Sequence, residues 1–364
     1  MVQFSLSKQQ KMLKDEVTRV AKDLVAADAQ DMDEAGEVPP AVLEKIWELG
    51  LSISAVPEAH GGFGLEASPI ENALAMEALA CGDVSVAIAA LLPSLFIVPV
   101  LTMGSPAQQE KFLPLACTQK YPGVTLAFNE PAIDFDPNRL QTTAVRENGA
   151  YVLNGRKCMV PHAAGAGHIL VAAALEGENR FFVVEKDADG LSVGEREKHM
   201  GLHALNTAPV VLDSVRVAGE NCLAPNEQTD SAAILARSRT AMAAMGAGLC
   251  QAAYDFAREY AKTRHQFGEP IASRQSIAFM IAEMAYETDA LRFMTWKAAS
   301  RLEAGRNATR EAYLAKLYAD EMCMKISDAA VQVLGGHGYI RDYPVERYYR
   351  NAKGIGNFEA LAIV

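Results

Sequence analysis

Two motifs in the last third of the chain hold residue types that can grip a polar ligand. The first reads Arg264-His265-Gln266-Phe267-Gly268. The second reads Gln332-Val333-Leu334-Gly335-Gly336-His337-Gly338-Tyr339 and runs on to Tyr343-Pro344-Val345-Glu346-Arg347. An arginine offers a planar fork of donors that meets a phosphate or carboxylate with two charge-assisted bonds. Paired glycines let backbone approach a ligand that a Cβ would hold away. The amides of Gln266 and Gln332 both donate and accept. A carboxylate, Glu359, follows in Asn357-Phe358-Glu359-Ala360-Leu361-Ala362-Ile363-Val364. In an apolar, water-excluded pocket a carboxylate has a raised pKa and serves as a general base. Each piece also has a plain reading. Phe267 alone is as readily a core residue, the glycine pair a loop, and Glu359 a solvated carboxylate.

Long helices position these motifs. From residue 230 to 356 the pattern is helical, with Ile277, Met280, Ile281, Met284, Thr288 and Leu291 on one apolar face. Leu314, Leu317, Tyr318, Met322 and Ile326 mark another. Residues 121–225 differ. Short β-rich runs (Tyr151–Leu153, Ile169–Val171, Phe181–Val184, Val210–Leu212) alternate with turn signals such as Glu147-Asn148-Gly149, which predicts antiparallel sheet. Residues 5–120 are again helical, with Leu13, Val17, Val20 and Leu24 on one face. A partial GxGxxA runs from Gly62 to Ala67 but lacks a surrounding βαβ unit, so it is read as a loop.

Composition excludes several function classes. A net charge of −11 argues against a nucleic-acid partner, since phosphate backbones require clustered Lys and Arg. The six cysteines have no zinc spacing and read as reduced thiols of a cytoplasmic protein. The N-terminal MVQFSLSKQQ has no apolar leader core. Val84–Met103 is uncharged and long enough to span a bilayer, but Pro93 and Pro99 interrupt it. It therefore reads as two short buried helices. Ser105 as N-cap and Pro106 in the first turn open the next helix.

The two C-terminal motifs and the helices around them resemble the acyl-CoA dehydrogenase family. The middle segments Asn129-Glu130-Pro131, Gln141-Thr142-Thr143-Ala144 and Tyr151 to Lys157 follow that family's order as well. The resemblance covers nearly the whole chain. It implies an α+β multidomain fold: a helical N-terminal domain (1–120), a middle antiparallel β-domain (121–230) and a C-terminal four-helix bundle (231–364). It further implies FAD as cofactor, an acyl-CoA substrate, electron-transfer flavoprotein as acceptor, and a dimer of dimers. In such an assembly one subunit faces the flavin ring. Its neighbour offers Arg264, Phe267, Gln332, Gly335 and Gly336, with Gln266 as a weaker contact, to the pyrophosphate and adenosine. Arg239 matches a family arginine near the CoA cleft, and Glu359 matches the base of one large branch.

The flavin-facing segments depart from the family. Its Thr-Glu-Pro-x-Ala-Gly-Ser-Asp is here Asn129-Glu130-Pro131-Ala132-Ile133-Asp134-Phe135-Asp136. Its Lys-x-Trp-Ile-Thr-Asn is Lys157-Cys158-Met159-Val160-Pro161-His162, and its Glu-Gly-Thr is Glu359-Ala360-Leu361. The losses fall on one side of the site. This favours a subunit of a heteromeric acyl-CoA dehydrogenase that lends its conserved half to an unlike partner's FAD. The alternatives are a self-sufficient homotetramer with Glu359 as base, and a non-catalytic acyl-CoA binder or scaffold.

Overall fold

The computed structural model describes residues 5–224 and 230–364. Residues 1–4, which open the stretch read as lacking a leader, and residues 225–229, just before the expected boundary at 230, lie outside the described residues. Helix α1 (Lys8–Val20) starts at a capping box in which the Ser7 hydroxyl accepts from the Gln10 amide and the Gln10 side chain accepts from the Ser7 amide. α2 (Ala29–Ala35), α3 (Pro40–Trp47) and α4 (Pro69–Gly82) follow. The uncharged stretch forms α5 (Val84–Leu91) and α6 (Ser94–Met103), bent by 45° between them and almost wholly buried. Among the described residues no single helix is long and apolar enough to cross a membrane. α7 (Pro106–Ala116) begins at the expected Ser105 cap. Gly62 sits against its own loop: a Cβ there would lie 2.2 Å from the Val56 carbonyl oxygen, so close packing accounts for it.

The middle sheet runs β1 (Val124–Ala127), β4 (His168–Leu175), β2 (Thr143–Glu147), β3 (Ala150–Pro161), β7 (Thr207–Ala218), β6 (Leu191–Val193), with β5 (Glu178–Glu185) also on β4. It is mixed rather than purely antiparallel, because β1 and β2 both pair parallel to β4. Parallel neighbours need a long connection: residues 128–167 join β1 to β4, and residues 148–167, which include β3, join β2 to β4. Asn148 and Gly149, both at positive φ, close the β2–β3 hairpin in the manner expected of an Asn-Gly pair.

Helices α8 (Ser231–Thr263), α9 (Gln275–Glu303), α10 (Thr309–Leu334) and α11 (Val345–Gly356) make the C-terminal bundle. Small residues dominate its seams: Ala312, Ala315 and Ala319 of α10 are fully buried. On α8, a Cβ at Gly248 would lie 2.2 Å from the Glu77 carbonyl oxygen of α4. This corrects the apolar face expected on α10. Met322 and Ile326 point inward, but Leu314 and Leu317 are exposed, since alanines hold the close approach. The six cysteines are free thiols, with Cys250 and Cys323 in contact at 3.7 Å between α8 and α10.

Candidate active site and cofactor cleft

The first motif forms the turn between α8 and α9. β8 (His265–Gln266) and β9 (Glu269–Pro270) pair through a two-residue turn, with Phe267 at φ 55° and Gly268 at φ 86°. A left-handed Phe is a strained choice, and it holds a ring that is 91% exposed. Phe267 is therefore not the core residue that its type alone also allowed. Arg264 caps α8, its amide bonded to the Tyr260 carbonyl. Its guanidinium has no ion-pair partner among the described residues.

The second motif ends α10 and turns back beneath the first. Gly335 adopts φ 58°, and a Cβ on Gly335 or Gly336 would meet no atom within 4 Å. Their faces are open to a ligand. The turn is locked from behind: the His337 Nδ1 lies 2.8 Å from the Tyr260 hydroxyl, and the His337 ring stacks on Tyr343 at 5.1 Å. Gly338 is needed for packing, because a Cβ would lie 2.4 Å from the Val331 carbonyl oxygen. Arg264, Gln266, Phe267, Gln332, Gly335 and Gly336 thus line one cleft of about 750 Å³. The sequence reading missed Arg274, which lines the same cleft 5.9 Å from the Phe267 ring centre and pairs with Glu269 at 2.9 Å. No motif flagged it; it enters because the hairpin folds back on the start of α9.

Glu359 and Arg239 meet some distance along the chain from that cleft. Arg239 Nε and Nη2 both donate to Glu359 Oε1, at 2.9 and 2.7 Å. The Asn129 side chain clamps the Glu359 backbone at both ends, donating to its carbonyl at 2.8 Å and accepting from its amide at 3.1 Å. Glu359 is therefore fixed and ion-paired rather than solvated. Its Oε2 is buried without a hydrogen-bond partner. Beyond it, residues 360–364 are all 4% exposed or less. A second cleft, about 630 Å³, adjoins Arg239 and is lined by Asn138, Arg310 and Tyr313 among others.

The segments that depart from the family pattern are engaged by contacts of their own. Phe135 turns inward and packs edge-on against Phe128 at 6.3 Å. The Met159 amide donates to the Glu197 carboxylate at 3.0 Å, and the Met159 side chain is buried in the β-domain. Met159, which stands where the family has its Trp, is therefore packed into the β-domain. Pro161 turns its carbonyl to the Thr125 hydroxyl at 2.6 Å. The Glu130-Pro131 segment keeps a structural role. Glu130 accepts from buried Lys157 at 2.8 Å and from the Gln141 and Thr142 amides. Burial pushes the Lys157 ammonium down to about 8, with Glu130 opposing the shift. Burial acts against the Glu130 carboxylate, but Lys157 and the donors around it still hold Glu130 below its ordinary range.

Comparison with known proteins assigns this arrangement. Residues 7–120, 125–215 and 230–359 match the N-terminal, middle and C-terminal domains of acyl-CoA dehydrogenases. The chain belongs to the acyl-CoA dehydrogenase family. It is accordingly an oxidoreductase acting on acyl-CoA, of a family of flavoproteins. An acyl-CoA dehydrogenase of Bacillus subtilis is 34% identical over 96% of this chain and 93% of its own length. The caffeyl-CoA reductase–Etf complex subunit CarC of Acetobacterium woodii is 34% identical over 98% and 96%. The structure of butyryl-CoA dehydrogenase from Megasphaera elsdenii superposes with a TM-score of 0.88 at 31% identity, covering 97% and 95% of the two chains.

Proposed function

We propose that this chain is one of two unlike subunits of an FAD-dependent acyl-CoA dehydrogenase and completes its partner's cofactor site. The observation that carries the reading is the contrast between an open, cationic Arg264 cleft and the segments expected to face the flavin, where Phe135 packs on Phe128 and Glu197 takes the Met159 amide. The open cleft fits the pyrophosphate half of FAD. Arg264 is an unpaired cation, Arg274 adds a second guanidinium, and the glycine pair presents bare backbone. FAD, when bound, supplies the hydride acceptor for α,β-dehydrogenation. This chain's part is to hold the anionic half and exclude water from it.

In this reading the working base is the partner's. Glu359 is unsuited to the role, because Arg239 already takes its Oε1 with two donors and Asn129 clamps its backbone, so it must break those bonds before it can meet a substrate α-proton. Arg239 and Arg310 line the second cleft and suit the phosphates of an acyl-CoA bound there. Electron-transfer flavoprotein is the acceptor we assign, in keeping with the Etf complex named for the Acetobacterium woodii relative. The assembly is a dimer of dimers built through the C-terminal bundle. The exposed Phe279, Tyr286 and Phe293 at seven-residue spacing on α9, beside Leu317 of α10, give it an apolar face.

The test is the visible absorption of the purified chain, alone and coexpressed with unlike family members. The expected result is a colourless chain alone and one FAD per unlike pair. An isolated chain that is yellow, carries one FAD per subunit and loses dehydrogenase activity on Glu359→Gln would establish the self-sufficient enzyme instead.

A further inference from the structure

The segment after Glu359 has an unusual position. It has no helical or strand structure, yet Ala360, Leu361, Ala362, Ile363 and Val364 are all buried. Leu361, Ala362 and Val364 join the core of the helical domains. Ala360 and Ile363 join the cluster of Trp47, Phe96, Phe128 and Leu235, where α3, α6, the sheet and α8 converge. The segment thus fills the junction of all three layers, directly after the carboxylate that pairs with Arg239, a residue lining the second cleft together with Asp136.

The bonds that hold it are polar and few. Arg239 takes Glu359 Oε1, Asn129 clamps the Glu359 backbone, and Arg237 Nη1 donates to the Val364 carbonyl at 3.0 Å. Against these stand two costs. Ala360 is held at φ 54°, a left-handed conformation that disfavours a residue with a Cβ. Glu359 Oε2 and the neighbouring Ser238 hydroxyl are buried without partners. A buried segment anchored by one ion pair and a few hydrogen bonds, with a strained residue and unpartnered polar atoms beside it, has the make-up of a latch.

We propose that residues 360–364 occupy this chain's own acyl pocket and that the Glu359–Arg239 pair latches them there. An anionic nucleotide entering the adjoining cleft competes with Glu359 for Arg239 and loosens the segment. Apolar side chains of the segment take the place of an acyl chain until then. The inference rests on reading the chain as one that meets acyl-CoA, but it concerns no flavin.

Ile363→Cys places a small thiol at a buried position, and its maleimide labelling rate is read by peptide-level mass spectrometry, which separates it from the six native cysteines. Slow labelling of the folded chain relative to the urea-unfolded chain is expected. Glu359→Gln in the same background should speed it by about tenfold or more, the change expected on losing a charge-assisted bond. Saturating adenosine 3′,5′-bisphosphate, which has no thiol, should do the same with Glu359 intact. Labelling of the folded chain at the unfolded rate would overturn the occupancy. A rate moved by neither Glu359→Gln nor the nucleotide would overturn the latch. If Glu359→Gln does not fold, the nucleotide arm decides. None of these outcomes depends on flavin content, so failure here leaves the proposal of an unlike pair standing, and the reverse also holds.

Discussion

The Arg264 cleft and the Glu359 region are both built from segments that match the family, and they differ in what their polar groups face. Around Arg264 the cation lacks a counter-ion, the glycines face open space and an aromatic ring is held outward at a strained φ. Around Glu359 most polar groups are satisfied from within, Glu359 Oε2 and the Ser238 hydroxyl excepted. Arg239 is taken by Glu359, the Met159 amide by Glu197, and the Asn129 amide by the Glu359 backbone. Groups left unsatisfied in a solvent-facing cleft are available to a ligand at no cost in broken bonds. Groups already paired must give up those pairs first. The comparison teaches that family membership and ligand competence are separable, region by region.

Four substitutions sharpen or break that contrast. The largest effect is expected from Lys157→Ala. It strands Glu130, buried with its partner at 0% and 3% side-chain exposure, and should cost about 3–5 kcal/mol in urea unfolding. A loss well below 1 kcal/mol would mean that the flavin-facing side no longer carries the fold. Arg264→Ala should do the opposite. Unfolding should be unchanged, while FAD affinity of the assembled protein falls by about ten- to hundredfold, the value of a charge-assisted bond. Unchanged flavin content would remove Arg264 from the cofactor site.

Phe267→Asn should separate strain from binding. Asparagine tolerates the left-handed region, so the isolated chain should gain up to about 1 kcal/mol while flavin binding weakens. A destabilised variant would show that the exposed ring packs against something in the isolated chain. The smallest effect concerns acid. Glu130 has a folded pKa below its ordinary 4.5. A depressed carboxylate contributes stability that is present above the unfolded value and lost as pH falls through the folded one. Unfolding titrations of the native chain should therefore steepen below pH 4.5, and Glu130→Gln should flatten that limb. Parallel slopes would indicate that Lys157 does not hold Glu130 ionised.

Much of this was legible in the chain because it depends on local rules. The Ser105–Pro106 helix start and the Asn148-Gly149 hairpin each rest on neighbouring residues and appear where expected, and the two C-terminal motifs line one cleft. What failed was directional. Leu314 and Leu317 share a helical period with Met322 and Ile326, yet period alone does not say which face the next helix will take when alanines allow close packing. Parallel pairing of β1 and β2 with β4 was likewise invisible, since short strands carry no sign of direction.

The residue types themselves determined the family and the layered order of helices, sheet and helices, and they set segments 129–136 and 157–162 apart from the family pattern. Tertiary structure decided three things that sequence order does not encode. It brought Arg274 into the Arg264 cleft, set Glu359 against Arg239 across 120 positions, and folded residues 360–364 into the core. Each depends on which distant surfaces meet. Such meetings are fixed by packing shape and the pairing of buried charge, and neither can be read from neighbours in the chain.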